Sequence, residues 1–440
     1  MKFFSRLASR RFASLATMVL AIAMVAAACS DDGDDDSSSA TTEATTVAAT
    51  AVAATAAPTA APTEVAPNET LKRGSPSATP AASTPRTSSG AALCPDGAPT
   101  FEFAPVDLDA TELVVPLGMM YGSHVTPVDH IYFQNFRDPD LQIAVYSPAA
   151  GTVTRIENMR QSSSPGPARE IDDYRLVIEH DCSLSSIFIH LATLSPTLSA
   201  VAPSPGDHGS VDVSVVAGEL IGGYRANVDY NVVDTNVTLP GLLVPEHYSD
   251  EPWKIHAAPP FDYFTDEIQQ RLNALSLRSE APFDGRFDYD IDGRLVGNWF
   301  QQGTNGYSGI DGIRGERYWA GHLTVAYDHL VPSHVVLSLG TFDGASAQFG
   351  VRGNTPDPAD VSVASDLIVY ELVKYDYMDG DTYWDRRSPD TGLTALNDDA
   401  VRGVVLMQLL SDRVLKVEIF PGLTASDIDG FSDAALLYER

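Results

Sequence analysis

The chain is short of positive charge: 28 Lys and Arg stand against 59 Asp and Glu in 440 residues, a formal net charge of −31. A surface this acidic repels phosphate, which argues against nucleic acid as a partner and against charge-driven attachment to anionic lipid headgroups. Cysteine is scarce, with Cys29, Cys94 and Cys182 the complete set. The nucleophile elbow GxSxG, the phosphate loop GxxxxGK[ST] and the dinucleotide fingerprint are all missing, so no serine-hydrolase or nucleotide chemistry is announced. Long apolar runs are missing too. The one long uncharged stretch, residues 12–28, sits at the bottom of the ~17–25 residues that a spanning helix needs.

What is present begins with a leader. Lys2, Arg6, Arg10 and Arg11 precede the uncharged stretch, the order of an export signal. Its end, Ala26-Ala27-Ala28-Cys29, resembles a bacterial lipoprotein signal, in which the cysteine is lipidated and becomes the new N-terminus; alanine stands where leucine is usual three places before Cys29. Lipidation at Cys29 is the expectation, with plain signal-peptide cleavage as the alternative. Loss of residues 1–28 removes four positive charges and no negative ones, taking the charge from −31 to −35. Residues 29–92 read as a tether. From 37 onward they are almost wholly Ala, Thr, Ser and Pro, without an aromatic residue, and cannot bury enough surface to fold. Such a chain spans about 40 Å root-mean-square. If Cys29 carries lipid, Cys94 and Cys182 remain as one possible disulfide in an exported setting, or as two free thiols.

The rest of the chain is long for one core and predicts two mainly β domains. In 93–262, short apolar runs broken by Gly, Pro and Ser, among them TELVVPLG, GTVTRIE, YRLVIEH, SIFIHLATL, VDVSVV and ELIGGYR, predict an antiparallel β-sandwich or open barrel. A connecting helix is expected in 263–282: Ile268, Leu272 and Leu275 share a face, Thr265 is placed to cap it, and Arg278 suits its negative end. Residues 283–440 alternate in the strand manner and predict a meander or small barrel, with a hairpin turn at Ser411-Asp412-Arg413.

Three segments of the first domain, VYSPAAGTV (145–153), YRLVIEHDCSLSSIFIHLATLS (174–195) and VVAGELIGGYR (215–225), resemble the core of the lysostaphin/LytM-type zinc endopeptidases, which cleave peptide cross-links of peptidoglycan. The resemblance covers roughly 115–235. Gly151 and Gly218 fall where its turns call for positive φ, and Gly222-Gly223 where a strand bends. The family holds zinc with a His and an Asp four residues apart and the second His of a later His-x-His; the first His of that pair and one in a Y-x-H-L strand activate water. Laid on this chain, the Y-x-H-L histidine is His190, the His-x-His falls on Asn227-Val228-Asp229, and the first motif falls on His130 with Gln134, or on His124 with Asp129 at a different spacing. The resemblance therefore implies His190 as the catalytic position and His130 and Asp229 as metal positions. A neutral amide at Gln134 is a weak zinc ligand. No cofactor is expected unless the peptidase survives, in which case it is zinc. His190 equally suits a structural polar pair with a carboxylate such as Asp229, and Tyr132, Phe133 and Phe136 read as core.

Elsewhere FDYDIDGR (287–294) spaces Asp288, Asp290 and Asp292 ahead of Gly293 in the manner of a calcium loop, but Trp299 stands where the bidentate acid belongs. A hairpin with Asp-Gly at its tip, flanked by strands, is the stronger expectation. YDHLVPSH (327–334) gathers Asp328, His329 and His334 without a nucleophile. The reading as a whole is an exported envelope lipoprotein on the outer face of the membrane or the cell surface, its degenerate LytM-like domain a non-catalytic module for a cell-wall or surface glycan or an envelope protein. The alternatives are a divergent metallopeptidase acting on peptidoglycan cross-links and a purely structural surface protein.

Overall fold

The computed structural model describes residues 99–159, 172–310, 317–388 and 392–440. The expected leader, tether, Cys29 and Cys94 lie outside these residues. Among the described residues the chain is mainly β, 43% strand against 12% helix. Alternation is the cause: in β-rich runs such as Ile143–Tyr146, buried and half-buried positions take turns, so one face of each strand has a core to cover.

Nine strands form a first antiparallel sheet: β1 (Leu113–Val115), β2 (Ile131–Gln134), β3 (Ile143–Tyr146), β4 (Gly151–Asn158), β5 (Tyr174–Glu179), β6 (Leu184–Leu194), β7 (His208–Val215), β8 (Leu220–Asp234) and β9 (Ala257–Ala258). Their order is β1-β2-β8-β6-β5-β4-β7, and β3 and β9 also pair with β8. The long strand β8 joins what the sequence presents as two runs, ELIGGYR and DYNVVD. Its first half pairs with β3 and its second with β2, while β6 follows it along the other side. Gly218 has φ +75°, as its turn requires. Gly151 differs from expectation: it opens β4 without positive φ, and a Cβ there would lie 2.6 Å from Glu179 O. Close approach of backbone, not turn geometry, excludes a side chain at that position.

The second region closes into a barrel. Its strands are β10 (Gly297–Gln301), β11 (His322–Tyr327), β12 (Val335–Phe342), β13 (Ala345–Val351), β14 (Ile368–Asp379), β15 (Thr382–Tyr383), β16 (Thr394–Ser411), β17 (Val414–Pro421) and β18 (Leu436–Glu439). The order β13-β12-β11-β10-β18-β17-β16-β14 returns to β13 through two residue pairs, Gly350 with Val373 and Val351 with Leu372, so that eight antiparallel strands form a closed ring. Inward positions recur every second residue: Leu323 and Val325, Leu337 and Leu339, Phe349 and Val351, Tyr370 and Leu372, Val405 and Met407, Leu415 and Val417 are all buried in one cluster. Apolar side chains thus fill a barrel of this size. The β16–β17 hairpin turns at Asp412 and Arg413, with Ser411 paired to Val414.

The helix spans Asp266–Leu275 with Leu272 fully buried. Thr265 is its N-cap residue but makes no side-chain cap bond. The helix also ends before Arg278: Ser276 is extended (ψ 137°), and Arg278 is buried, donating Nη1–H to His329 O at 2.7 Å. Arg278 therefore braces a barrel loop and does not neutralise the helix end. The described residues belong to one compact unit. Leu113, Val115 and Tyr132 of the first sheet share a buried cluster with Leu330, Val331, Tyr377 and Trp384 of the second region.

Candidate functional site

Asp229 lies at the crossing point of the first sheet. It is paired with Tyr132 of β2 on one side and with Ile189 of β6 on the other. His130, two residues before Tyr132, falls on the same face. His190 comes at a bulge: β6 spends His190 alone between Ile189 and Leu191, where β8 runs through 225–228 between Tyr224 and Asp229. The mismatch forces His190 to φ +75° and Ala226 to φ +58°, a left-handed conformation costing a non-glycine residue about 1–2 kcal/mol.

The side chains converge. His130 Nε2 stands 3.2 Å and His190 Nε2 3.7 Å from Asp229 Oδ2. Each imidazole turns its other nitrogen to a second carboxylate: His130 Nδ1 to Asp129 Oδ1 at 3.2 Å, and His190 Nδ1 to Asp173 at 3.2 Å. Lys254 closes the far side, with Nζ 3.3 Å from Asp129 and 3.1 Å from Glu251, over the ring of Tyr307. Asn227 Nδ2–H reaches Asp229 Oδ1 at a long 3.4 Å. Asp229 has 0% exposure and the His190 side chain 14%, so the point of convergence is almost closed to solvent.

Buried charges survive here because they compensate one another. Burial alone pushes the His130 imidazole down; Asp229 and Asp129 outweigh it and hold the group up at about 10. Burial likewise pushes Asp229 up, and His130 and His190, with His124 contributing, hold it below the usual carboxylate range. Asp129 is also held low, with Lys254 and His130 overcoming its burial. The arrangement is a charge chain: Glu251, Lys254, Asp129, His130, Asp229.

The residues do not make a clean zinc site. His130 Nε2 is 2.9 Å from the Tyr132 hydroxyl as well as facing Asp229, so both ring nitrogens of His130 are taken within the protein. Gln134 is buried, and its Oε1 has no hydrogen-bond partner. Among the described residues no group of three or more His, Cys, Asp or Glu side chains is arranged to hold a metal ion. Asp129, Asp173, Glu251 and Lys254 are the participants that sequence reasoning did not assign these roles. Lys254, one of only five lysines in the chain, was the signal available for one.

The other candidates separate. Asp288 accepts from Gly241 N–H and Arg286, Asp290 accepts from the backbone of Asn298 and Leu243, and Asp292 pairs with Arg413 on the surface. The three carboxylates point to different partners. Residues 287–290 are not a strand; the expected hairpin fails because Asp288 and Asp290 are drawn inward to bind backbone amides. Asp328 organises its own turn, Oδ1 accepting from Leu330 and Val331 N–H and Oδ2 from the hydroxyls of Tyr375 and Tyr377. Tyr132 and Phe133 are core, and Phe136 packs on it. Cys182 is disulfide-bonded.

Comparison with protein-family models, with curated proteins and with solved structures finds no match for this chain.

Proposed function

We propose that the chain is an exported, lipid-anchored envelope protein whose first sheet is a degenerate lysostaphin/LytM-type domain serving as a non-catalytic binding module for a cell-wall or surface glycan or an envelope protein. One observation carries the non-catalytic part: His130 is paired at both nitrogens and Asp229 is sealed from solvent, which leaves no open position for a substrate carbonyl and a water, as a catalytic zinc site requires. The cluster then works as a charged clamp between β2, β6 and β8.

A specific observation favours the second reading, a divergent metallopeptidase. Two imidazoles face one carboxylate oxygen, and each is backed by a further carboxylate, the outer-shell pattern that orients metal-bound histidines. One experiment separates the two. The purified protein is assayed for bound zinc by elemental analysis and for cleavage of a cross-linked peptidoglycan peptide, beside His190→Ala, and is cosedimented with purified cell-wall sacculi. Binding without zinc or cleavage is the expected result. Stoichiometric zinc together with cleavage that is lost in His190→Ala would overturn the reading.

A further inference from the structure

Past the end of β8 the chain turns and then continues through Asn236-Val237-Thr238-Leu239. Burial alternates along it: Asn236 and Thr238 are exposed, Val237 is half-buried against the core that includes Leu239, and Leu239 itself is buried. Side chains two apart in such an alternating segment share a side, so the Asn236 carboxamide and the Thr238 hydroxyl both stand outward. The main chain beneath them is pinned. Val237 N–H donates to Asp234 O and Leu239 N–H to Ile255 O, both at 2.9 Å, and Val237 O accepts from His256 Nδ1 at 2.6 Å.

The fold gives no account of these two side chains. Asparagine enters turns for two reasons, its tolerance of a left-handed backbone and its side-chain bonds to nearby main chain. Asn354 serves both: its φ is +54°, and its carboxamide accepts from Val335 N–H and donates to Ser333 O. Asn236 serves neither. Its φ is not positive, and the side-chain bond of its turn is made by Asp234, whose Oδ1 accepts Asn236 N–H at 2.9 Å while Oδ2 accepts from the Tyr263 hydroxyl. Among the described residues neither the Asn236 carboxamide nor the Thr238 hydroxyl has a hydrogen-bond partner.

Asn-x-Ser/Thr is the acceptor pattern of N-linked glycosylation, a surface feature of exported chains. Of the eleven asparagines two carry it, Asn236 and Asn68, which lies outside the described residues. We propose that Asn236 is a site of N-linked glycosylation, its substrate an oligosaccharide carried on a lipid diphosphate. Transfer joins Asn236 Nδ2 to the anomeric carbon of the first sugar and breaks that carbon's bond to the diphosphate oxygen. The lipid diphosphate leaves with the electron pair, and one amide proton passes to the transferase's base. Thr238 gives the transferase a second handle for orienting the amide. A glycan here displaces no contact of the fold. The proposal rests on the export reading, since such donors are spent on exported chains, and it is independent of zinc content and peptide cleavage.

The test is mass spectrometry of the full chain purified from whole cells of its native host, reading the proteolytic peptide that contains Asn236 and the N-terminal peptide in one digest. The expected result is an added mass of whole sugar residues, placed on Asn236 by electron-transfer fragmentation. It should be lost in Asn236→Gln and in Thr238→Ala, with the near-ultraviolet circular dichroism band shape retained in both. Thr238→Ala leaves the acceptor nitrogen in place, so loss there separates glycosylation from other chemistry at an asparagine. A bare Asn236, or a modification that survives Thr238→Ala, would overturn the proposal. The N-terminal peptide separates the two readings: a bare Asn236 on a chain that begins at Cys29 overturns the glycosylation site alone, and a bare Asn236 on a chain that retains its leader overturns the export reading with it.

Discussion

Asp229 in the first sheet and Asp328 at the end of β11 are carboxylates equally withdrawn from water, and different partners hold them. Asp328 accepts four aligned hydrogen bonds from neutral donors, two backbone amides and two tyrosine hydroxyls, beside the His329 imidazole at 3.6 Å, which with them holds it below the usual carboxylate range against its burial. Asp229 depends on ionised neighbours, His130 above all, and its Oδ2 has no aligned hydrogen bond. A carboxylate closed by hydrogen bonds fixes a turn. One closed by cations leaves an interaction that is strong only while every member of the chain remains charged.

Asp229→Ala should break that contrast most severely. It strands the His130 charge in the core, and such losses run to about 3–5 kcal/mol, readable by urea unfolding at pH 7; a loss below about 1 kcal/mol would mean that His130 is not held as a cation. Asp284 offers a third case, a carboxyl that burial pushes up to about 7 because Phe261 N–H and the more distant Arg278 do not offset it. Its folded pKa is raised, so its contribution is most favourable below the unfolded value near 3.8 and is lost as pH rises through about 7. Asp284→Asn should therefore stabilise the protein above pH 7 by on the order of 2–4 kcal/mol and make little difference below pH 4, which paired melts across pH 4–8 would show. Asp328→Asn keeps the shape and one acceptor oxygen, and the tyrosine hydroxyls can turn to accept from the new amide; a cost of about 1–2 kcal/mol is expected. If it matches Asp229→Ala, the distinction between the two carboxylates fails. Smallest of all, Arg413→Ala removes an exposed pair with Asp292 and should cost under about 1 kcal/mol, less in high salt.

Local patterns were legible in the sequence to the degree that they were local. Alternating runs mark β4, β5, β6, β7, β11 and β12, and the turn at Asp412 and Arg413 needs only its neighbours. Closure of the barrel was not legible, because β13 and β14 meet through two residue pairs that no periodicity marks. At the candidate site, His130, Asp229 and His190 were nominated by the resemblance of three segments to a known family, and the fold does bring them together. Asp173, just before β5, and Lys254, at the start of a short 3-10 turn, reach the same cluster from distant parts of the chain, and only the tertiary fold puts them there. The strand expected at 287–289 failed for the converse reason: partners in remote backbone, Gly241 and Leu243, claim Asp288 and Asp290.

The pairing of Phe300 with Glu439 has a consequence in time. It joins the barrel's first strand to its last across a loop on the order of 140 residues, and loop-closure entropy makes such a contact slow to form. A nascent chain would hold β10 and β17 as raw edges until Leu436–Glu439 arrives, each able to recruit a strand from another molecule. Four residues of β18 act as the fastener that closes the eight strands into a ring.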